Sequence, residues 1–340
     1  MKIPIYLILI ALVCFCCSQP KELRLQKFLM RGNLALKERN TEEAIRFFNE
    51  ALDIDPCYAD ALNNLGTIEF ESKNFEKSLS YYNSAIGCKP EFLAAYFNRA
   101  NTFYELKEYY NALQDIQRII AAKPDTAIAY FAEGLIATKM RDFRSALTAF
   151  DKAVALDARN VEFRINRGTV NYYLREFKEA EKDLLLAEKI DPGQANIYNT
   201  RAMIAISLVA HEEALTHVEK AIQLSPNEPY FLNNRGFIFL MQNRLPEALV
   251  DIDRSIIMEP GNGWAYRNKG VYYLLSGDYP NAVRLLRQGL SMDSFIERIH
   301  FYLGMSYLKN NQRKEACEQL ELSDKAGDAM VTMNVIKLCR

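Results

Sequence analysis

The sequence predicts an all-α fold in which nine helical hairpins stack one after another. A tiny residue recurs every 34 positions, and seven of the chain's 14 glycines occupy this slot. Twelve residues further on, a second slot holds alanine in eight repeats and serine in one, and proline closes six of the repeats. Small residues allow two helices to approach closely, and proline ends a helix that must turn back. The first slot reads Gly32, Gly66, Ala100, Gly134, Gly168, Ala202, Gly236, Gly270 and Gly304.

Residues 1–17 lie outside this repeat and are typical of an export signal. Lys2 gives a positive start, and the apolar run that follows is shorter than the roughly 20 residues that span a bilayer. Cys14, Cys16 and Cys17 end the run. This pattern resembles a bacterial lipoprotein signal, and the resemblance implies lipidation at Cys17. A plain cleaved signal and an uncleaved anchor remain open, and residues 18–24 are expected to form a short linker.

The first hairpin illustrates how each repeat is built. Helix A is expected over 26–38 and helix B over 41–53, with Thr41 as the N-cap and acidic residues in the first turn of helix B. Gly32 and Ala44 let the two helices close together, and Phe48 fills the space beside them. The nine repeats are expected over 25–58, 59–92, 93–126, 127–160, 161–194, 195–228, 229–262, 263–296 and 297–328.

This pattern of small residues resembles the tetratricopeptide repeat over nearly all of residues 25–328. The resemblance implies a right-handed superhelix, or α-solenoid, in which helix A of each repeat lines a concave groove and helix B faces outward. It also implies that the groove binds proteins or peptides. Stability then comes from the interfaces between neighbouring repeats, because one hairpin buries too little surface to fold alone.

An arginine stands at the seventh position of several repeats, where the family usually has leucine. An aspartate follows 16 residues later in three repeats, each of which carries the arginine. We therefore expect buried or half-buried ion pairs that bridge helices A and B and serve the structure. The predicted pairs are Arg99 with Asp115, Arg167 with Asp183, and Arg235 with Asp251.

Asparagine and aromatic residues recur at the helix A positions that face the groove in this family. An asparagine amide both donates and accepts, so it can hold the backbone of an extended peptide. Aromatic neighbours supply apolar area. The same side chains also suit packing between repeats, and this alternative stays open. The candidate groove residues are Asn64, Asn98, Asn101, Tyr104, Asn166, Tyr172, Tyr230, Asn233, Asn234, Trp264, Arg267 and Asn268.

Two features refine the expected groove. The family's carboxylate clamp for chaperone tails needs basic residues that this chain lacks, which argues against a chaperone-tail receptor. Trp264, Arg267 and Arg298 mix aromatic and positive character at one end of the groove. They suggest an anchor for an aromatic or acidic partner segment, or a tryptophan packed between helices.

The remaining cysteines suggest how the C-terminus is held. A final capping helix is expected within 329–340, from about 330 to 338, with an apolar edge formed by Met330, Met333 and Ile336. Cys317 and Cys339 are equally far from Asp328 in the turn before it, so an antiparallel hairpin would place them at one level and allow a disulfide. Cys57 and Cys88 also flank a hairpin, but we expect the helices to splay there. Free thiols are the alternative for both pairs.

Composition and motifs point away from catalysis. The three histidines lack the spacing of a zinc motif, and no phosphate loop or nucleophile motif stands out. A net charge of −1 with mixed signs disfavours nucleic acid. We expect a non-enzymatic scaffold or adaptor, without cofactor or metal, exported to the bacterial cell envelope and lipid-anchored at the outer membrane. The alternative is a protein that binds glycans or cell-wall fragments through its aromatic groove.

Overall fold

The computed structural model describes residues 20–337 and residue 339, and all regular secondary structure within them is helical. The chain divides into two compact units between Ala158 and Arg159. The helices are α1 (Lys21–Lys37), α2 (Thr41–Ile54), α3 (Ala59–Glu71), α4 (Phe75–Cys88), α5 (Leu93–Glu105), α6 (Tyr109–Ala122), α7 (Ala127–Lys139), α8 (Phe143–Leu156), α9 (Val161–Tyr173), α10 (Phe177–Ile190), α11 (Ala195–Ser207), α12 (His211–Leu224), α13 (Pro229–Met241), α14 (Leu245–Met258), α15 (Gly263–Ser276), α16 (Tyr279–Met292), α17 (Ile299–Lys309), α18 (Arg313–Lys325) and α19 (Met333–Lys337).

Helices α1 to α18 pair in sequence into nine hairpins, as the 34-residue period predicts. The first unit contains the four hairpins from α1 to α8, and the second contains the five hairpins from α9 to α18 together with α19. Each hairpin also packs against the next within its unit, so apolar clusters continue from one repeat to its neighbour. None of the described helices is both long and apolar enough to cross a membrane.

The glycine slot brings the two helices of a hairpin into direct contact. A methyl group added at Gly134 would lie 2.5 Å from Cε1 of Phe150, a distance that ordinary packing does not allow. Gly168 is less constrained, because the nearest atom to such a methyl would be the carbonyl oxygen of Ala180 at 3.3 Å. Phe150 and Leu184, at the facing position of each hairpin, are both fully buried. The partner across the slot therefore decides how strictly glycine is required.

Every hairpin turns through one residue in the left-handed region, a feature that the sequence analysis missed. In the first hairpin Arg39 has φ 60°, and the amide of Asn40 donates to the carbonyl of Ala35 at 2.9 Å. This geometry closes the end of helix A in the manner of a Schellman motif. Only one of the nine turn residues is glycine and only one is β-branched. They are Arg39, Lys73, Lys107, Arg141, Arg175, Val209, Asn243, Gly277 and Asn311.

The start of the first hairpin differs from the prediction at two points. The linker expected over 18–24 is too long, because α1 begins at Lys21, immediately after Pro20. Proline has no amide hydrogen and a fixed φ, so it suits the position before a helix. The N-cap of α2 is Asn40 and not Thr41, since the Asn40 side chain accepts from the Glu43 amide at 3.2 Å and donates to its carboxylate at 2.9 Å.

The four cysteines that the structure describes form two disulfides. Cys317 and Cys339 are joined with Cα atoms 5.4 Å apart, as their spacing from the turn predicts. Cys57 and Cys88 are also joined, with Cα atoms 5.3 Å apart, so the expectation that the helices splay there is wrong. Cys57 lies in the loop before α3 and Cys88 ends α4, and the close packing of this hairpin brings its two ends together. Cys14, Cys16 and Cys17 lie outside the described residues.

The C-terminal cap is shorter than predicted, since α19 covers only Met333–Lys337. Met330 was expected on its apolar edge but is 41% exposed. Val331, Val335 and Cys339 pack against the buried cluster of the last hairpins.

Candidate protein-interaction site

In the first unit, four asparagine side chains form a hydrogen-bonded chain that we call the asparagine ladder. Asn98 donates to Asn63 at 2.9 Å, Asn63 to Asn64 at 3.4 Å, and Asn64 to Asn33 at 2.8 Å. The ladder joins helices α1, α3 and α5, which are the first helices of three successive repeats. Asn64 and Asn98 were predicted to contact a partner, and the ladder shows that part of their hydrogen-bonding capacity serves packing between repeats.

The ladder ends on α5 beside two more candidate residues. Asn98, Asn101 and Tyr104 follow one another at three-residue spacing, so each side chain is a neighbour of the next along the surface of the helix. All three side chains are partly exposed. An asparagine amide has two donors and a carbonyl acceptor, so Asn98 keeps one N–H and its carbonyl available after bonding to Asn63. Asn101 makes no side-chain hydrogen bond to any other described residue, so its whole amide is available.

Tyr104 completes this face with an aromatic ring held by its neighbours. Its ring meets that of Tyr109 edge to face at a centroid distance of 5.8 Å, and the Lys139 ammonium lies 5.9 Å from the ring centre. Burial raises the pKa of Tyr104 to about 12. The hydroxyl is therefore neutral at physiological pH, and the ring offers a fixed apolar surface with a neutral polar tip.

The asparagines of the second unit are more buried than the sequence suggests. Asn268 donates to the side-chain oxygen of Asn233 at 2.7 Å, and the two residues are 0% and 2% exposed. The prediction that they contact a partner is therefore wrong, because both are enclosed between α13 and α15. Asn234 is partly exposed and donates to Asn199 at 2.8 Å, and Asn166 donates to the carbonyl of Glu162 on its own helix.

Arg267 is also buried, with 4% of its surface exposed, so its predicted role as an exposed anchor is wrong. Its guanidinium carbon lies 4.4 Å from the ring centre of Phe237, 5.1 Å from Trp264 and 6.0 Å from Tyr302. Its Nη1 donates to the carbonyl of Glu297 at 3.3 Å, and its Nε has no hydrogen-bond partner among the described residues. Burial lowers the pKa of Arg267, and the three electron-rich rings partly offset the cost of burying its charge.

Trp264 shows the packing that was one of its two predicted alternatives, and its role as an anchor for a partner stays a prediction. Its side chain is partly exposed, yet it packs against the buried cluster and against Arg267. Tyr230, one repeat earlier, remains 48% exposed.

Within the second unit the first and last repeats approach each other. The guanidinium of Arg175, in the turn after α9, lies 3.6 Å from the carboxylate of Glu297, just before α17. Burial, and next the charge of Glu297, raise the pKa of Tyr172 to about 12. No local pattern in the sequence pairs these residues. Their proximity depends on the cumulative offset between neighbouring hairpins over five successive repeats. Tyr172 therefore lies in a buried environment near the last repeat of the unit, and its contact with a partner stays a prediction.

The three predicted arginine–aspartate pairs are all brought together, each through two parallel hydrogen bonds. Arg99 contacts Asp115 at 2.8 and 2.7 Å, and Arg167 contacts Asp183 at 2.7 and 2.6 Å. The hydrogen bond to Asp115 raises the pKa of Arg99. Their aspartates are buried between helices, so these pairs belong to the structure of the hairpin.

Two other arginines at the same position find different partners. Arg201 donates to the carboxylates of Glu181 and Glu188, and Arg31 lies over the ring of Phe47 at 5.6 Å. Phe47 occupies the slot that holds aspartate in three other hairpins.

Models of the tetratricopeptide repeat match residues 29–91, 93–126, 131–195 and 195–228. These segments cover more than half of the chain and share the register of the hairpins. The chain belongs to the tetratricopeptide repeat family. Proteins of this family generally act as protein-interaction scaffolds. No curated protein matches the sequence. No described group of three or more His, Cys, Asp or Glu side chains is arranged to hold a metal ion.

Solved structures share this tetratricopeptide repeat fold at low identity. A crystal structure of the APC/C hetero-tetramer Cut9–Hcn1 matches 91% of the chain with 18% identity and a TM-score of 0.62, and this chain spans 62% of that one. The structure of pilF from Pseudomonas aeruginosa matches 63% of the chain, and 97% of its own, with 20% identity and a TM-score of 0.55. At such identities the likeness concerns the fold alone.

Proposed function

We propose that this tetratricopeptide repeat protein is a non-enzymatic scaffold of the bacterial cell envelope that binds extended segments of partner proteins. The binding site of the first unit is the face of α5 formed by Asn98, Asn101 and Tyr104. The observation that carries the proposal is the unused amide of Asn101, which lies one turn from the end of the asparagine ladder and one turn from a fixed aromatic ring. The glycan-binding alternative is not favoured, because proteins of this family generally bind other proteins.

Hydrogen-bonding geometry supports an extended peptide as the ligand. The ladder holds Asn98 in place, so little side-chain entropy is lost when its remaining N–H and carbonyl bind a partner. Asn98 and Asn101 together present donors and acceptors to a peptide backbone, whose amide and carbonyl groups need both. Tyr104 adds apolar contact for a side chain of the partner.

The disulfides and the N-terminal segment support export. Disulfides form and persist in oxidising compartments, and four described cysteines are paired. The lipoprotein-like segment that ends at Cys17 adds an anchor in the envelope, at the outer membrane. Cys17→Ala should move the protein from the membrane fraction to the soluble fraction of producing cells. An unchanged membrane fraction would transfer the anchor to Cys14 or Cys16, or exclude lipidation.

Site-directed photo-crosslinking tests the binding face. A photoreactive residue at position 101 should capture a partner in producing cells, whereas the same residue at Asn111 should not. Asn111 is an exposed asparagine on α6 of the same repeat, so it controls for general surface contact. The crosslinked segment, identified by mass spectrometry, is then made as a synthetic peptide.

Binding of this peptide gives the decisive measurement. Asn101→Ala and Tyr104→Ala should each weaken its affinity by about five-fold or more, because truncating an anchor costs roughly 1 kcal/mol or more. Asn111→Ala should leave the affinity unchanged. Equal affinities for all three variants would show that this face of α5 is not the binding site.

A further inference from the structure

Helix α1 carries an outward face that the first hairpin leaves uncovered. Leu23, Met30 and Leu34 are 49%, 67% and 54% exposed, and their spacing of seven and four residues places them in one stripe. The opposite side of the helix, with Leu25 and Ala35, is buried. In the next repeat the position of Leu34 holds Ile68, which is buried against the first hairpin, whereas no described hairpin precedes α1. An apolar stripe left exposed at the end of a repeat array marks a surface for association.

The charge of α1 indicates what covers this stripe. The helix has five basic residues and one acidic residue, a net charge of +4, whereas the whole chain has a net charge of −1. Lys21 is paired with Asp55 at 3.1 Å. Arg24, Lys27 and Lys37 have no acidic partner among the described residues, and they flank the apolar stripe. Two copies of this face would repel each other, so a second copy of the chain is disfavoured.

An anionic lipid surface satisfies both features of the helix. Apolar side chains enter the boundary between headgroups and acyl chains, and flanking lysines and arginines reach the phosphates. The sequence position agrees, because four residue steps separate Cys17 from Lys21 and reach at most about 14 Å when extended. A lipid attached at Cys17 would thus hold α1 close to the bilayer.

We infer that α1 is a membrane-surface helix, which lays Leu23, Met30 and Leu34 on anionic lipid with Arg24, Lys27 and Lys37 on the headgroups. The biological setting rests on the proposed envelope anchor. The helix itself is tested without that anchor, so the two ideas fail separately.

The test uses residues 18–340, which lack both the proposed signal and the lipidation cysteine and retain every described helix. Its folding is checked by thermal melting, and its binding to vesicles is measured by co-sedimentation. We expect at least about ten-fold more binding to vesicles with roughly 40% phosphatidylglycerol than to neutral phosphatidylcholine vesicles, and this binding should weaken as salt screens the charges.

A matched pair of variants separates α1 from general surface hydrophobicity. Met30→Asp with Leu34→Asp should lower binding to the anionic vesicles by at least about ten-fold. Val250→Asp with Ile257→Asp makes the same change in charge at two apolar residues on α14 that are 67% and 79% exposed, and it should leave binding unchanged. Lys27→Glu with Lys37→Glu should also reduce binding.

Three results would overturn the inference. One is equal binding to anionic and neutral vesicles, and another is equal loss in the α1 and α14 variants. The third is a dimer in solution that becomes a monomer with Met30→Asp and Leu34→Asp while lipid binding stays absent, which would assign the stripe to a second copy of the chain.

Discussion

Arg235 donates from Nε and Nη2 to the two carboxylate oxygens of Asp251 at 2.6 and 2.8 Å, across the hairpin formed by α13 and α14. The aspartate side chain is 6% exposed and the arginine side chain 26%. The hydrogen bond to Asp251 raises the pKa of Arg235. The carboxylate is the more buried partner. Removing the arginine therefore leaves a buried negative charge unpaired, which is more destabilising than an unpaired arginine.

Arg235→Ala should therefore lower the free energy of unfolding by about 3 kcal/mol, and Asp251→Ala by less. Replacing both residues with leucine, which is usual for the family at the arginine position, should recover much of the loss, since no buried charge then remains. Denaturant unfolding of the single and double alanine variants measures the coupling energy. A coupling energy close to zero would mean that the two side chains do not interact in solution.

The glycine slot predicts different outcomes at two equivalent positions. Gly134→Ala places a methyl group against the ring of Phe150 and should cost about 1–3 kcal/mol through overpacking. In Gly168→Ala the added methyl group would lie no closer than 3.3 Å to any neighbouring atom, so its packing cost is small. Alanine is also the better helix former by up to about 1 kcal/mol, so the net change in the free energy of unfolding should be small. Thermal melting compares the two variants. Equal shifts would contradict the packing described for the two hairpins.

The hairpin turns offer a stabilising substitution. Val209 has φ 63°, and a β-branched residue is strained in this region, whereas Asn243 occupies the equivalent turn with φ 58° at little cost. Val209→Asn should raise the free energy of unfolding by about 1 kcal/mol, and the reciprocal change Asn243→Val should lower it by a similar amount. Denaturant unfolding measures both. A loss of stability in Val209→Asn would show that the valine makes compensating contacts.

The pattern of small residues and prolines predicted the hairpins because each slot is set by contacts within one repeat. For the same reason the pairing of Arg99 with Asp115 could be read from spacing alone. The candidate site was less predictable. Whether an asparagine faces solvent or bonds to the next repeat depends on how neighbouring hairpins are offset, so Asn101 and Asn268 share a residue type but not an environment. The burial of Arg267 likewise depends on aromatic rings from three different helices.

A pH dependence follows from Glu188, whose pKa lies below its usual value because Arg201 donates a hydrogen bond to its carboxylate. A carboxyl whose pKa is depressed in the folded state stabilises fully above its unfolded pKa of about 4.3, and this contribution is lost as the pH falls through the folded value. Glu188→Gln should therefore reduce the fall in melting temperature on acidification below about pH 4.3. Glu179→Gln, at an exposed carboxylate on the same helix, is the control. Indistinguishable acid profiles for wild type and Glu188→Gln would refute this role.

The two disulfides should differ in what they stabilise. Their sequence separations of 31 and 22 residues correspond to similar loop-closure contributions of about 3–4 kcal/mol each in the chain-entropy model. Cys57–Cys88 closes a whole hairpin between packed neighbours, whereas Cys317–Cys339 ties down a terminal segment whose described helix, α19, has five residues. Cys57→Ser with Cys88→Ser should lower the melting temperature clearly. Cys317→Ser with Cys339→Ser should mainly speed amide exchange in residues 331–337, because that segment can fray while the hairpins stay folded. Hydrogen exchange and melting curves for both double variants check this, and a larger global loss for the C-terminal pair would contradict it.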